Sequence, residues 1–130
     1  MKPLTLEWVE KAERDYETME RESRVRKNPN PDAVCFHAQQ CVEKYIKARL
    51  CEEGERIPRI HDLNALLEKV IPFEPLWEAH RENFIYLSEY AVNIRYPGDF
   101  TEKDDAMAAR KYCRVFREVV RMSILFKMKG

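Results

Sequence analysis

Apolar side chains recur every three or four residues along the chain, and no window alternates with a period of two, so the pattern predicts helices and no strands. Trp8, Ala12, Tyr16 and Met19 form the inward stripe of a first helix running from Thr5 to about Arg26. Asn28-Pro29-Asn30 reads as a turn. Asn30 as cap and Pro31 as first helical residue then start a second helix, which Gly54 ends. A loop containing Pro58 leads to a short third helix, Leu63 to Ile71, opened by His61 or Asp62 and stopped by Pro72. Trp77, His80, Phe84, Leu87, Ala91 and Ile94 predict a fourth helix of about five turns, beginning near Pro75 and giving out at Arg95-Tyr96-Pro97-Gly98. Thr101, with Asp104 as capping-box acid, opens a fifth whose seam is Ala106, Ala109, Cys113, Phe116, Val120 and Ile124. The predicted fold is all-α, a mostly antiparallel up-and-down bundle of four long helices plus one short helix, in a single domain over residues 1–130.

The second helix is the centre of this pattern. Val34, Cys35, Ala38, Cys41, Val42, Tyr45, Ile46, Ala48 and Leu50 fill an arc of roughly 200°, broken only by Gln39 and Arg49. A rod that apolar must be surrounded. Its remaining arc gathers His37, Gln40, Glu43, Lys44 and Lys47. One reading is an exposed edge solvated by the pairs Gln39–Glu43, Gln40–Lys44 and Glu43–Lys47, each worth ~0.2–0.5 kcal/mol. The other is a polar pocket in which Lys47 holds a phosphate, Glu43 orients it and the glutamine amides read a base edge.

Composition narrows the partners. With 45% hydrophobic and 35% charged residues the chain is globular rather than disordered. Its 23 basic and 23 acidic residues leave no net field, so any basic site has to be local. Lys2, Pro3 and Glu7 interrupt any signal-peptide core, and no apolar run approaches the ~20 residues of a membrane span. The expected address is cytoplasmic, away from membranes. The four cysteines occupy apolar helical positions without a Cys-x-x-Cys pair and read as reduced core residues. His37 and Cys41 lie one turn apart, but two ligands are no metal site, and neither a metal nor a cofactor is expected. Arg110, Arg114, Arg117 and Arg121 repeat at 4, 3 and 4 spacing along the fifth helix, a match for the acidic stripe of Glu10, Glu13, Glu17 and Glu20 at 3, 4 and 3 on the first. Mutual neutralisation, with Glu118 assisting at Arg114, is favoured over a track for a phosphate backbone.

A further set of residues carries a family resemblance. Phe36-His37-Ala38-Gln39-Gln40, then Glu43-Lys44, then Lys47-Ala48, then His61-Asp62-Leu63 and finally Arg95-Tyr96-Pro97 resemble, in this order and spacing, the HEPN domain. The likeness extends to Trp8, Ala12 and Asp15 of the first helix. It implies a helical bundle, commonly a homodimer, and in prokaryotes a partner that is a minimal nucleotidyltransferase, the two forming a pair of toxin–antitoxin type. It also implies metal-independent ribonuclease activity in many members, whose signature is an arginine followed after four to six residues by a histidine. Counting from Arg95, those positions hold Phe100, Thr101 and Glu102, none of which is an imidazole. The expected ligand-binding set is therefore Gln40, Glu43, Lys44, Lys47, His61, Arg95 and Tyr96, for a nucleotide or RNA phosphate. Arg95 and His61 are the candidate catalytic residues should the chain cleave RNA. Arg95-Tyr96-Pro97 also has a plain structural reading, a cation at the negative end of a helix dipole before a proline stop.

Overall fold

A computed structural model describes the backbone of residues 1–91 and 96–129, and the side chains of 1–91 and 96–124. The described residues contain helices and no strand: α1 (Pro3–Ser23), α2 (Pro31–Glu52), α3 (Leu63–Val70), a 3-10 segment (Pro75–His80), α4 (Arg81–Ser88) and α5 (Lys103–Lys129). The all-α bundle predicted from periodicity is present. Its long members are α1, α2 and α5.

Local chemistry accounts for most helix ends. Pro31 fixes the first turn of α2, and the Asn30 side chain accepts from the Ala33 N–H at 3.2 Å. At the other end Gly54 adopts φ 77°, its N–H donates to Cys51 O at 3.0 Å, and the Glu55 N–H donates to Leu50 O at 3.1 Å. This is a Schellman closure, which needs the left-handed residue that glycine supplies without strain. Asp62 caps α3 by accepting from Asn64 N–H and Ala65 N–H. The cap of α5 falls one residue later than predicted. Glu102, whose carbonyl accepts from Ala106 N–H, is the cap residue, and its own N–H donates to Asp105 Oδ2 at 2.9 Å, so Asp105 takes the place expected for Asp104.

The predicted long fourth helix is not continuous. Among the described residues Pro75–His80 winds as a 3-10 turn and eight residues, Arg81–Ser88, are α-helical, so this fourth member of the bundle is built in two parts and is shorter than α1, α2 and α5. The tighter winding brings residues three apart into register. Trp77 and His80 thereby both reach Phe116 of α5, at ring-centroid distances of 5.0 and 5.3 Å, and Phe84 meets the same ring at 5.0 Å. Val92, Asn93, Ile94 and Arg95, on which the predicted end of that helix falls, lie outside the described residues.

Around α2 the other helices close. Thr5 near the start of α1 hydrogen-bonds Glu52 at the end of α2, whereas Asp15 meets His37, so α1 and α2 run antiparallel. Glu20 meets Arg110 and Glu13 meets Arg117, which sets α5 antiparallel to α1 as well. From α3, Leu63, Leu66, Leu67 and Val70 all lose essentially their whole surface against this core, each burial stabilising by ~1.5–3 kcal/mol. Cys35, Cys41, Cys51 and Cys113 are buried and form no disulfide among the described residues. Arg49, an interruption in the apolar arc by sequence, is fully buried. It binds Glu53 at 2.7 Å and Glu74 at 2.8 Å beside the Phe73 ring, and Ser123 of α5 donates to the same Glu74 oxygen.

Candidate functional site

On α2, residues 39, 43 and 47 stand one turn apart and form a single row along the rod. The loop after Gly54 returns across this row. The Gln39 amide donates to the backbone carbonyl of His61 at 2.9 Å and to Glu43 Oε1 at 3.2 Å, while its own oxygen accepts from Gln40 Nε2 at 2.7 Å. Leu63 N–H, donating to Ser88 Oγ at 3.0 Å, ties the same loop to α4. Gln39 is thus a buried strut that fixes where His61 emerges.

Glu43 is the hinge of the arrangement. One carboxylate oxygen accepts from His61 Nδ1 at 2.9 Å, the other from Lys47 Nζ at 3.1 Å, and Lys47 lies 5.7 Å from the centroid of the Trp8 ring. Glu43 and Lys47 side chains are 4% and 6% exposed, whereas His61 is 59% exposed. This row is therefore not the solvated edge of the first sequence reading. It is a buried ion pair with one imidazole standing out of it. The Glu43 carboxylate accepts from Nδ1, so Nδ1 carries a proton and Nε2 is the ring nitrogen left at the solvent edge. Among the described residues no hydrogen bond or ion pair engages that nitrogen.

The remaining members of the predicted set go elsewhere. Lys44, paired in the sequence reading with Gln40, instead binds Asp15 of α1, whose other oxygen accepts from His37 Nδ1 at 2.8 Å. Burial pushes the Asp15 carboxyl up, but the hydrogen bonds from His37 and Lys44 and their charges outweigh it, so it titrates below the ordinary carboxylate range. Tyr96 sits in a tight turn with Pro97 and Gly98 at its centre; Gly98 has φ 99°, Tyr96 N–H donates to Asp99 Oδ2, and Asp99 N–H donates to Tyr96 O. Tyr96 as a whole is 73% exposed. Arg95 lies outside the described residues. No group of three or more metal-type side chains gathers among the described residues.

His80, on the predicted apolar seam, packs against Phe84 and Phe116. Burial alone lowers its pKa. The arginine stripe of α5 is largely neutralised by α1. Arg110 grips Glu20 through two bonds at 2.9 and 2.8 Å, Arg117 grips Glu13 at 3.0 and 3.3 Å, and Arg121 reaches Glu13 at 3.9 Å. Glu118 lies 3.7 Å from Arg117 rather than at Arg114. Sequence reasoning missed the burial of Gln39, Glu43, Lys47 and Arg49, which depends on partners contributed by Trp8, His61 and Glu74.

Comparison with known proteins settles the family, because the sequence profile of the HEPN domain matches residues 5–123. The chain belongs to the HEPN domain family. This HEPN chain is also similar to a Methanocaldococcus jannaschii protein named "Putative toxin MJ1304", with 35% identity over 97 residues. That alignment covers 69% of this chain and 61% of the relative, so the chain spans about three-fifths of the archaeal protein's length. No solved structure matches it. No helix among the described residues is long and apolar enough to cross a membrane.

Proposed function

We propose that this HEPN chain is the toxin-type member of a two-component pair whose other member is a minimal nucleotidyltransferase, and that it binds a nucleotide or RNA phosphate at the His61 edge. Family membership and the name of the archaeal relative support the first part. The observation that carries the second is Glu43, buried and holding both Lys47 and the exposed His61. In this reading Lys47 anchors one oxygen of Glu43 inside the bundle, Glu43 aims the imidazole through the other, and His61 with the amide of Gln40 meets the ligand. Lys44 and Asp15 stiffen the neighbouring turn of α2, Tyr96 offers a ring to a base, and Arg95 is the second phosphate cation. A homodimer is part of this proposal, since two copies present two such edges.

The Glu43–His61 pair also favours a catalytic version. His61 Nε2 takes the proton from a ribose 2′-hydroxyl, the oxygen attacks the adjacent phosphorus to form a 2′,3′-cyclic phosphate, and the P–O5′ bond breaks as the 5′-oxygen takes a proton from water, with the proton on His61 released to solvent. Calorimetric titration with AMP, ATP and GTP tests binding. The expected result is measurable heat for the wild type and an affinity loss of about tenfold or more in His61→Ala, the worth of a charge-assisted hydrogen bond. Absence of heat at millimolar ligand overturns the binding site. Incubating RNA with the protein in EDTA tests cleavage, and an unchanged RNA ladder removes the catalytic version.

A further inference from the structure

Although the whole chain is electrically balanced, its cations are not evenly spread. Arg21, Arg24, Arg26 and Lys27 crowd the corner where α1 ends, with Glu22 the lone carboxylate among them. A cavity of about 620 Å³ opens between this corner, the first turn of α2 and the start of α5. Arg24, Arg26, Lys103 and Arg110 line it, and Glu22 is its only acid. A second hollow of about 320 Å³ shares Met107 and Arg110 with the first and continues along α5 past Lys111, Arg114 and Val115, with no carboxylate in its wall.

Of these cations Arg110 is committed to Glu20. Arg24, Arg26, Lys103, Lys111 and Arg114 make no ion pair among the described residues, and Glu20 feels Arg24 and Arg114 only as more distant charges. From Lys103 to Arg114 the path follows α5 for ~17 Å at the helical rise. Exposed apolar side chains are interleaved with the charges, Val25 at 40%, Met107 at 59% and Val115 at 47%.

We propose that this groove is a track for the backbone of single-stranded RNA, separate from the His61 edge. A compact anion calls for cations that converge on one point, whereas these are strung along a line. A charged line with apolar and guanidinium surfaces between the charges suits a strand that alternates phosphates with flat bases. The groove wall ends at Val34 on α2, and Glu43 lies nine residues further along that helix, ~14 Å away, so the two features are distinct. The proposal deepens the reading above, because it rests on the chain handling RNA.

Fluorescence anisotropy with a labelled oligouridylate tests it, comparing the wild type, the triple variant Arg24→Glu/Lys111→Glu/Arg114→Glu, and His61→Ala over a range of KCl. For the wild type, log affinity is expected to fall linearly with log salt. The triple variant is expected to lose about tenfold or more at the lowest salt and to flatten that slope by ~2, since each phosphate contact on a single strand contributes ~0.7. His61→Ala should keep the wild-type slope. The exchanged cations hold no ion pair among the described residues, so the fold should survive their loss; the milder Arg24→Gln/Lys111→Gln/Arg114→Gln variant, which adds no carboxylate near Glu20, serves if the reversal does not fold. Unchanged affinity and slope in the variant, no binding of the oligouridylate by the wild type, or equal competition by polyglutamate each overturn the groove. Mononucleotide calorimetry keeps the two failures apart. A false groove leaves the mononucleotide heat and its loss in His61→Ala intact, whereas a false His61 site leaves the groove's salt-dependent binding intact.

Discussion

At the scale of single residues, the positions legible in the sequence are those whose partners are near in the chain. Asn30 and Asp62 read as caps because each accepts from an amide two or three residues on. Gln39, Glu43, Lys47 and Arg49 did not read as buried, because what covers them comes from Trp8, His61 and Glu74. His80 was legible as a core histidine, and its surroundings give it a measurable signature. Enclosure beside Phe84 and Phe116 disfavours the imidazolium and holds the pKa below the ordinary value of about 6.5. The unfolded chain therefore takes up the proton more readily than the folded one. Stability from this residue is complete above about pH 6.5 and is lost as pH falls toward the depressed folded value. Thermal melts of the wild type should decline between about pH 7 and 5, and His80→Leu should flatten that portion of the profile; parallel profiles would show that His80 does not titrate in this range.

Among the helices, periodicity located each one but not its winding. Trp77, His80, Phe84 and Leu87 face the core as predicted. Spacings of three and four do not distinguish an α-helix from a 3-10 turn feeding into one, and here Pro75 begins the tighter form. The start of α5 shows the same limit at the level of one residue. Thr101-x-x-Asp104 satisfies the capping-box pattern on paper, yet the acid that accepts from a cap N–H is Asp105, bonded to Glu102, and Asp105 also accepts from the Tyr86 hydroxyl at 3.1 Å. Tyr86 thus pins the start of α5 to α4, a long-range contact that selects the register. Asp105→Ala should cost about 1 kcal/mol in chemical denaturation and Asp104→Ala only a few tenths. Equal losses would return the cap to the earlier residue.

For the molecule as a whole, two kinds of charge hold the helices. Outside, Glu13 and Glu20 of α1 bind Arg117 and Arg110 of α5, partly solvated pairs visible in advance because the acidic and basic stripes both alternate spacings of three and four. Such pairs orient the helices more than they stabilise them. Inside, Arg49 joins Glu53 to Glu74, the residue that precedes the 3-10 segment, and Ser123 brings α5 to the same oxygen. Arg49→Met leaves Glu74 without its buried cation and is expected to lower the unfolding free energy by ~3 kcal/mol, the usual cost of breaking an enclosed pair. A loss below about 1 kcal/mol would assign the packing to the arginine stem alone.

The row of Gln39, Glu43 and Lys47 has an evolutionary corollary. Because the groups that aim His61 are also interior parts of α2, selection on the chemistry at that edge and selection on foldability act on the same few codons. Variants that retune the imidazole should arise by replacing what surrounds it on the returning loop, where Arg59 and His61 face solvent, while the strut beneath stays fixed.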